Sequence, residues 1–146
     1  MDKKIVATNR KARFNYHLIE SYEAGISLLG SEVKSIRAGK ADLKEGYVKI
    51  ENNEIFLYNV NIAAYEHISD RKYDPLRKRK LLLHRSEIRK ISEKVSQKGF
   101  ALVPVELYLK KGKVKLELAL GRGKKTYDKR ETIKEREMKR EMERES

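Results

Sequence analysis

The stretch Phe100-Ala101-Leu102-Val103-Pro104-Val105-Glu106-Leu107-Tyr108-Leu109-Lys110-Lys111-Gly112-Lys113-Val114-Lys115-Leu116-Glu117-Leu118-Ala119-Leu120 decides the fold. Two runs of alternating apolar residues flank Lys111-Gly112, which reads as a hairpin of two strands around a tight turn. In the first run Val103, Val105, Leu107 and Leu109 are expected on one face, with Leu102, Pro104, Glu106 and Tyr108 on the other. In the second run Val114, Leu116, Leu118 and Leu120 should face in, and Lys113, Lys115 and Glu117 out. Pro104 donates no ladder hydrogen bond, so it belongs at an edge or a bulge.

Moving toward the N-terminus, Ile88, Ile91 and Val95 share one helical face, with Ser86 as the expected cap and Gly99 as terminator. Leu81-Leu82-Leu83 reads as a short buried strand behind a polar loop at 66–80. Tyr47-Val48-Lys49-Ile50-Glu51 alternates and returns through an Asn52-Asn53 turn to Ile55–Asn59, a second hairpin. Ser31 is the expected cap of a short helix that packs Val33 and Ile36, ends at Gly39 and leaves Lys34 and Arg37 toward solvent. Phe14, Tyr16 and Leu18 alternate as a strand running to Tyr22, with a further strand at Ile26–Leu29. Residues 1–13 show no hydrophobic period and read as a flexible basic arm. Residues 123–146 are mostly charged, without a core-facing side, and read as a flexible tail.

The expected architecture is therefore mostly β: a small closed barrel of about six strands (residues 14–122) with two short helices and a disordered C-terminal tail. An α+β sandwich is the alternative. Barrel closure would remove the edges of strands this short.

Composition bounds the function. The chain has 146 residues, 39% of them hydrophobic, enough for one core. Thirty-five Lys and Arg against 22 Asp and Glu give a net charge of +13. That charge is uneven: residues 70–98 hold eleven cations and four acids, while residues 15–69 hold five and eight. Such a field attracts polyanions. There is no cysteine, which excludes disulfides, thiolate metal sites and cysteine nucleophiles. No apolar run approaches a membrane span and no signal peptide is visible, so a cytoplasmic protein is expected. His17, His67 and His84 lack ligand spacing, and neither a phosphate loop nor a serine elbow occurs. No catalytic residue, metal or cofactor is assigned, and a binding protein is expected.

Three constellations could hold RNA. Arg77-Lys78-Arg79-Lys80 runs into the leucines: four adjacent cations repel one another unless a polyanion crosses them, and a neighbouring leucine could pack on a base. The alternative is a solvated loop before a core strand. Lys110-Lys111-Gly112-Lys113 forms a hairpin tip, where lysines also serve solubility. Gly121-Arg122-Gly123-Lys124-Lys125-Thr126-Tyr127-Asp128-Lys129-Arg130 combines glycines, cations and an aromatic, a composition suited to RNA or to a linker. The strand tyrosines Tyr47, Tyr58 and Tyr108 are expected to pack rather than stack on bases.

In sequence order come Tyr22-Glu23-Ala24-Gly25-Ile26, Gly30-Ser31-Glu32-Val33-Lys34-Ser35-Ile36-Arg37-Ala38-Gly39-Lys40, Asp74-Pro75-Leu76-Arg77-Lys78-Arg79-Lys80-Leu81-Leu82-Leu83-His84, Lys98-Gly99-Phe100 and Gly123-Lys124-Lys125-Thr126-Tyr127-Asp128-Lys129-Arg130. Over roughly residues 9–140 this order resembles the small protein B (SmpB) family, the SsrA-binding proteins of bacterial trans-translation. The resemblance implies an oligonucleotide-binding-type barrel without catalytic activity. It implies binding to the tRNA-like domain of transfer-messenger RNA (tmRNA, or SsrA RNA) and delivery of that RNA to stalled ribosomes, enabling peptide tagging and ribosome rescue. Elongation factor Tu and alanyl-tRNA synthetase are implied as indirect partners; membrane and DNA are not.

By position, the family's RNA contacts fall on Glu23, Leu82 and Lys113. Lys34, Arg37, Arg79, Lys80, Gly123, Lys124 and Lys125 complete the expected RNA-binding set. The ribosome-facing set is Tyr127, Asp128, Lys129, Arg130, Ile133 and Lys134, on a tail implied to become helical in the empty mRNA channel. The family often carries histidine at the position of Tyr127. From Glu131 to Ser146 this tail has five cations and six acids, less basic than in many relatives.

Overall fold

The structure, a computed structural model, describes residues 3–65, 72–97 and 99–124. In chain order its elements are β1 (Lys3–Thr8), α1 (Arg10–Asn15), β2 (Tyr16–Ile26), α2 (Gly30–Arg37), β3 (Ala41–Asp42), β4 (Tyr47–Glu51), β5 (Glu54–Tyr58), β6 (Asn61–Ile62), β7 (Arg79–Leu82), α3 (Arg85–Val95), β8 (Phe100–Lys110) and β9 (Lys113–Gly123). Seven strands form one antiparallel sheet in the order β1-β8-β9-β2-β7-β5-β4, and β3 and β6 pair separately. The sheet is open among the described residues: β1 and β4 are its edges, and no ladder joins them. The expected hydrogen-bonded closure is thus absent, although β4 packs against β8 across the sheet.

Both hairpins form where the turn residues demand them. Asn52 and Asn53 have φ of 50° and 63°, and Lys111 and Gly112 have 51° and 77°. Paired positive φ values twist a two-residue turn to match its strands, and asparagine and glycine tolerate that region best.

The hairpin faces differ from simple alternation. Pro104 pairs with Leu118 and Glu106 with Glu117, so Val105 is an extra residue in a β-bulge. The bulge reverses the side-chain phase. Leu102 and Leu107 therefore share the main core, with Leu109 packed on it, while Val103 and Val105 join Ala12 and Ala119 in a second cluster on the opposite face. Pro104 stands at this irregularity, as its missing N–H requires. A matching shift at Ile19 on β2 places Leu18 beside the second cluster and Tyr22 and Ala24 beside the first.

The N-terminal arm is a strand and a third helix. β1 pairs with β8, and Asn9 bridges the two elements: its N–H donates to the Val105 carbonyl at 2.7 Å and its Nδ2 to the Pro104 carbonyl at 2.9 Å. Lys3 and Arg13 converge on the buried Glu106 carboxylate at 3.4 and 3.7 Å. Phe14 lies in α1 with 79% exposure, and the expected strand begins only at Tyr16. β2 then runs unbroken to Ile26, so no separate strand forms at 26–29.

α2 and α3 carry the expected apolar residues but start two residues before the expected first helical positions. Their N-caps are Leu29 and His84, not Ser31 and Ser86. The cap N–H of Leu29 donates to Glu32 Oε1 at 2.8 Å and that of His84 to Glu87 Oε1 at 3.1 Å. A glutamate at the third helical position satisfies the cap donor. Ile36 and Ile91 are fully buried in the main core, and Gly39 takes φ of 76° just past the end of α2.

Candidate nucleic-acid interface

The cation run is neutralised from within. Residues 77–80 alternate in direction as β7 begins, so two side chains point in and two out. Arg79 is 1% exposed; its Nε donates to Glu32 Oε2 at 2.8 Å, its Nη1 to the Val60 carbonyl at 2.7 Å and its Nη2 to the Pro75 carbonyl at 3.0 Å. Arg77 also holds Glu32, with its Nε 3.1 Å from Oε2 and its Nη2 on Oε1. The Tyr73 hydroxyl lies 3.0 Å from Glu32 and 2.8 Å from the Ile62 carbonyl. Burial pushes the Glu32 carboxyl up, but Arg77, the Leu29 N–H and Arg79 outweigh it and hold it down at about 2. On the outer side Lys78 reaches Glu51 at 2.7 Å and Lys80 reaches Glu54 at 3.2 Å. Three glutamates thus answer four cations, and no polyanion is needed to stop their repulsion.

The sheet's other face is open where α1 does not cover it. Across β8, β9 and β2, Lys110 pairs with Lys113, Tyr108 with Lys115, Lys115 with Gly25, and Glu117 with Glu23. Gly25 then pairs with Leu82 on β7, which is 52% exposed while Leu81 is buried. Side chains on one face of a sheet are neighbours across strands, so Glu23, Leu82, Lys115 and Lys113 share one surface. The Tyr108 hydroxyl donates to Glu23 Oε2 at 2.5 Å and Lys110 Nζ at 3.1 Å. The Tyr108 bond, with Lys110 assisting against partial burial, holds the Glu23 carboxyl below its usual range. Burial, with the same carboxylate, pushes the Tyr108 phenol up, so the hydroxyl keeps its donor proton. Glu23 is therefore a fixed, ionised acceptor on a face rimmed by lysines.

At the hairpin tip, Arg37 Nη2 donates to the Gly112 carbonyl at 3.1 Å. This contact ties the end of α2 to the turn and groups Arg37 with Lys111 and Lys113. Lys34, one turn earlier and also exposed, stands 5.3 Å from the Tyr65 ring centroid.

Over residues 6–146 the sequence matches the profile of the SmpB protein family. The chain belongs to the SmpB family. The SsrA-binding protein of Persephonella marina is 56% identical over 142 residues, spanning 97% of this chain and 93% of the relative. That of Trichodesmium erythraeum is 56% identical over 143 residues, spanning 97% and 92%. A solved structure described as "tmRNA-SmpB: a journey to the center of the bacterial ribosome" is similar with a TM-score of 0.66 and 50% identity, over 80% of this chain and 82% of that one.

The SmpB surface gathers part of the expected set. Glu23, Leu82 and Lys113 are exposed on one face, and Arg37 stands beside it at the hairpin tip, while Lys34 is exposed on α2 near Tyr65. Lys80 is exposed but paired with Glu54, a surface contact weak enough to exchange for a phosphate. Arg79 is withdrawn from the set: its guanidinium is internal and its donors are committed to the protein. Gly123 ends β9 beside Tyr16, ten residues from Lys113 and hence about 33 Å away along the strand. Lys124 follows it, so these two belong to a different region. Lys125, Tyr127, Asp128, Lys129, Arg130, Ile133 and Lys134 lie outside the described residues.

Sequence reading missed Tyr108 as the residue that fixes Glu23, although it was correctly expected to pack. Its spacing from Lys110 is visible, but its partner is set by pairing of strands 85 residues apart.

Proposed function

We propose that this SmpB-family chain binds the tRNA-like domain of transfer-messenger RNA and carries it to stalled ribosomes. The observation that carries this reading is the placement of Glu23 and the half-exposed Leu82 on one sheet face among lysines. Lysines supply affinity for any phosphate backbone. A fixed carboxylate and an apolar side chain instead address base edges, 2′-hydroxyls and base faces, which distinguish a folded RNA from bulk polyanion. The relatives named SsrA-binding protein and the tmRNA–SmpB structure support the same assignment.

On this reading the sheet acts as an oligonucleotide-binding-type barrel, which the packing of β4 against β8 across the sheet supports. Residues 123–146, with Tyr127, Asp128, Lys129, Arg130, Ile133 and Lys134, serve the ribosome and enter the empty mRNA channel. Elongation factor Tu and alanyl-tRNA synthetase act on the same RNA and are indirect partners. Sequencing the RNA that co-purifies with the chain tests the proposal: transfer-messenger RNA is expected to dominate, and bulk duplex DNA or an even spread of cellular RNA would overturn it. Truncation after Arg130 should leave RNA binding intact and abolish peptide tagging; retained tagging would remove the tail from the mechanism.

A further inference from the structure

Beside Leu82 the surface opens into a cleft of about 690 Å³ between the β4–β5 turn, the end of β7 and α3. Its walls combine three kinds of chemistry. Leu82 and Ile88 give an apolar side. Asn52 and Asn53 bring the turn's amide groups. Arg85 and Arg89, exposed and one helical turn apart on α3, bring cations that have no ion-pair partner among the described residues. Ser92 Oγ, also in the lining, is buried and without a hydrogen-bond partner. The two carboxylates in the lining make no ion pair with the arginines: Glu54 is paired with Lys80, and Glu93, although at i+4 from Arg89, forms no ion pair with it. Arg77 to Lys80 are all paired with glutamates, so Arg85 and Arg89 are the uncommitted arginines on this flank among the described residues.

We propose that this cleft receives one unpaired nucleotide of the bound RNA. The base lies against Leu82 and Ile88, its edge meets the asparagine amides, and Arg85 and Arg89 take the flanking phosphates. The volume is that of a small-ligand pocket, and mixed apolar, amide and guanidinium walls suit a splayed-out base better than a duplex, whose bases are stacked inside. The inference rests on the RNA-binding reading above, because Leu82 belongs to both surfaces. It adds α3 to the interface and assigns a loop, not a stem, to this flank.

The test uses the full chain and two RNAs of equal length: the tRNA-like domain with its loops, and a continuous hairpin duplex. Fluorescence anisotropy is measured across a salt series for wild type, for Arg85→Ala combined with Arg89→Ala, and for Lys90→Ala. Lys90 is an exposed cation of α3 that does not line the cleft. The double variant is expected to lose about tenfold or more in affinity for the looped RNA and to flatten its salt slope by about 1.4–1.8, two phosphates' worth. Duplex binding and Lys90→Ala should change little. Wild-type affinity of the double variant for the looped RNA, or an equal loss in Lys90→Ala, would overturn the cleft while leaving the general RNA-binding reading in place. A wild-type chain that binds both RNAs equally would overturn both.

Discussion

Leu82 lies directly across β7 and β2 from Gly25, and a Cβ placed on Gly25 would stand 3.3 Å from the Leu82 Cβ and 3.5 Å from its Cδ1. The hydrogen side chain of Gly25 leaves room for the exposed leucine to lie close against β2. Gly25→Ala is expected to push Leu82 outward. Because Leu82 is half in solvent it can move, so a urea melt should place the variant within about 1 kcal/mol of wild type. Affinity for the tRNA-like RNA should nevertheless fall by as much as in Leu82→Ala. Unchanged affinity would show that the leucine's position is not read.

Glu23→Ala raises the net charge, yet it is expected to weaken binding to the tRNA-like RNA, which an interface built only on charge could not do. Tyr108→Phe removes the hydroxyl that donates to the same carboxylate and should weaken binding less than Glu23→Ala does. In the double variant the two losses should not add, because Tyr108 acts through Glu23. Lys113→Ala provides the contrast: its loss should be shared by unrelated RNAs and should flatten the salt slope by about 0.7–0.9. Affinities over a salt series separate the two behaviours.

Much of this was legible in the chain. Alternation and turn chemistry marked both hairpins, and the 3.6-residue period marked α2 and α3, because those signals are local. The signals that failed depend on distant partners. The bulge at Val105 arises from pairing with Leu118 and Glu117, so the face swap between Val103 and Leu107 is invisible in the run itself. Arg79 looks like its neighbours in a basic run, and only the return of α2 beneath β7 places Glu32 there to receive it. The arm at residues 1–13 has no periodicity because β1 is mostly exposed and is held by its backbone pairing with β8. For the site, Glu23, Leu82 and Lys113 came from the resemblance; their shared face follows from register.

Asn9 is the fastening of that arm. Its side-chain amide donates to the Pro104 carbonyl from a buried position. Asn9→Ala removes this bond and leaves the carbonyl without that partner, which should cost about 1–3 kcal/mol. The loss should be local: amide exchange in β1 and α1 is expected to speed more than in β2, β8 and β9. Uniform acceleration across the sheet would mean that the arm and the sheet unfold as one unit.

The Glu32 cluster predicts the chain's behaviour in acid. The carboxyl titrates near 2 in the folded protein against an ordinary value of 4.5. A group whose folded value is depressed stabilises the fold fully above its unfolded value and loses that contribution as the pH falls through the folded one. Stability should therefore be flat with respect to Glu32 above about pH 5 and fall by about 3 kcal/mol toward pH 2. Glu32→Gln removes this dependence but leaves the Arg79 guanidinium buried without its counter-charge, at a cost of about 3–5 kcal/mol at neutral pH. Urea melts of both proteins between pH 2 and 7 check this: the variant is expected to start lower and to lack the Glu32-dependent part of the acid slope. A wild-type curve no steeper than the variant's would place the folding role of Arg79 in packing rather than in its pairing with Glu32.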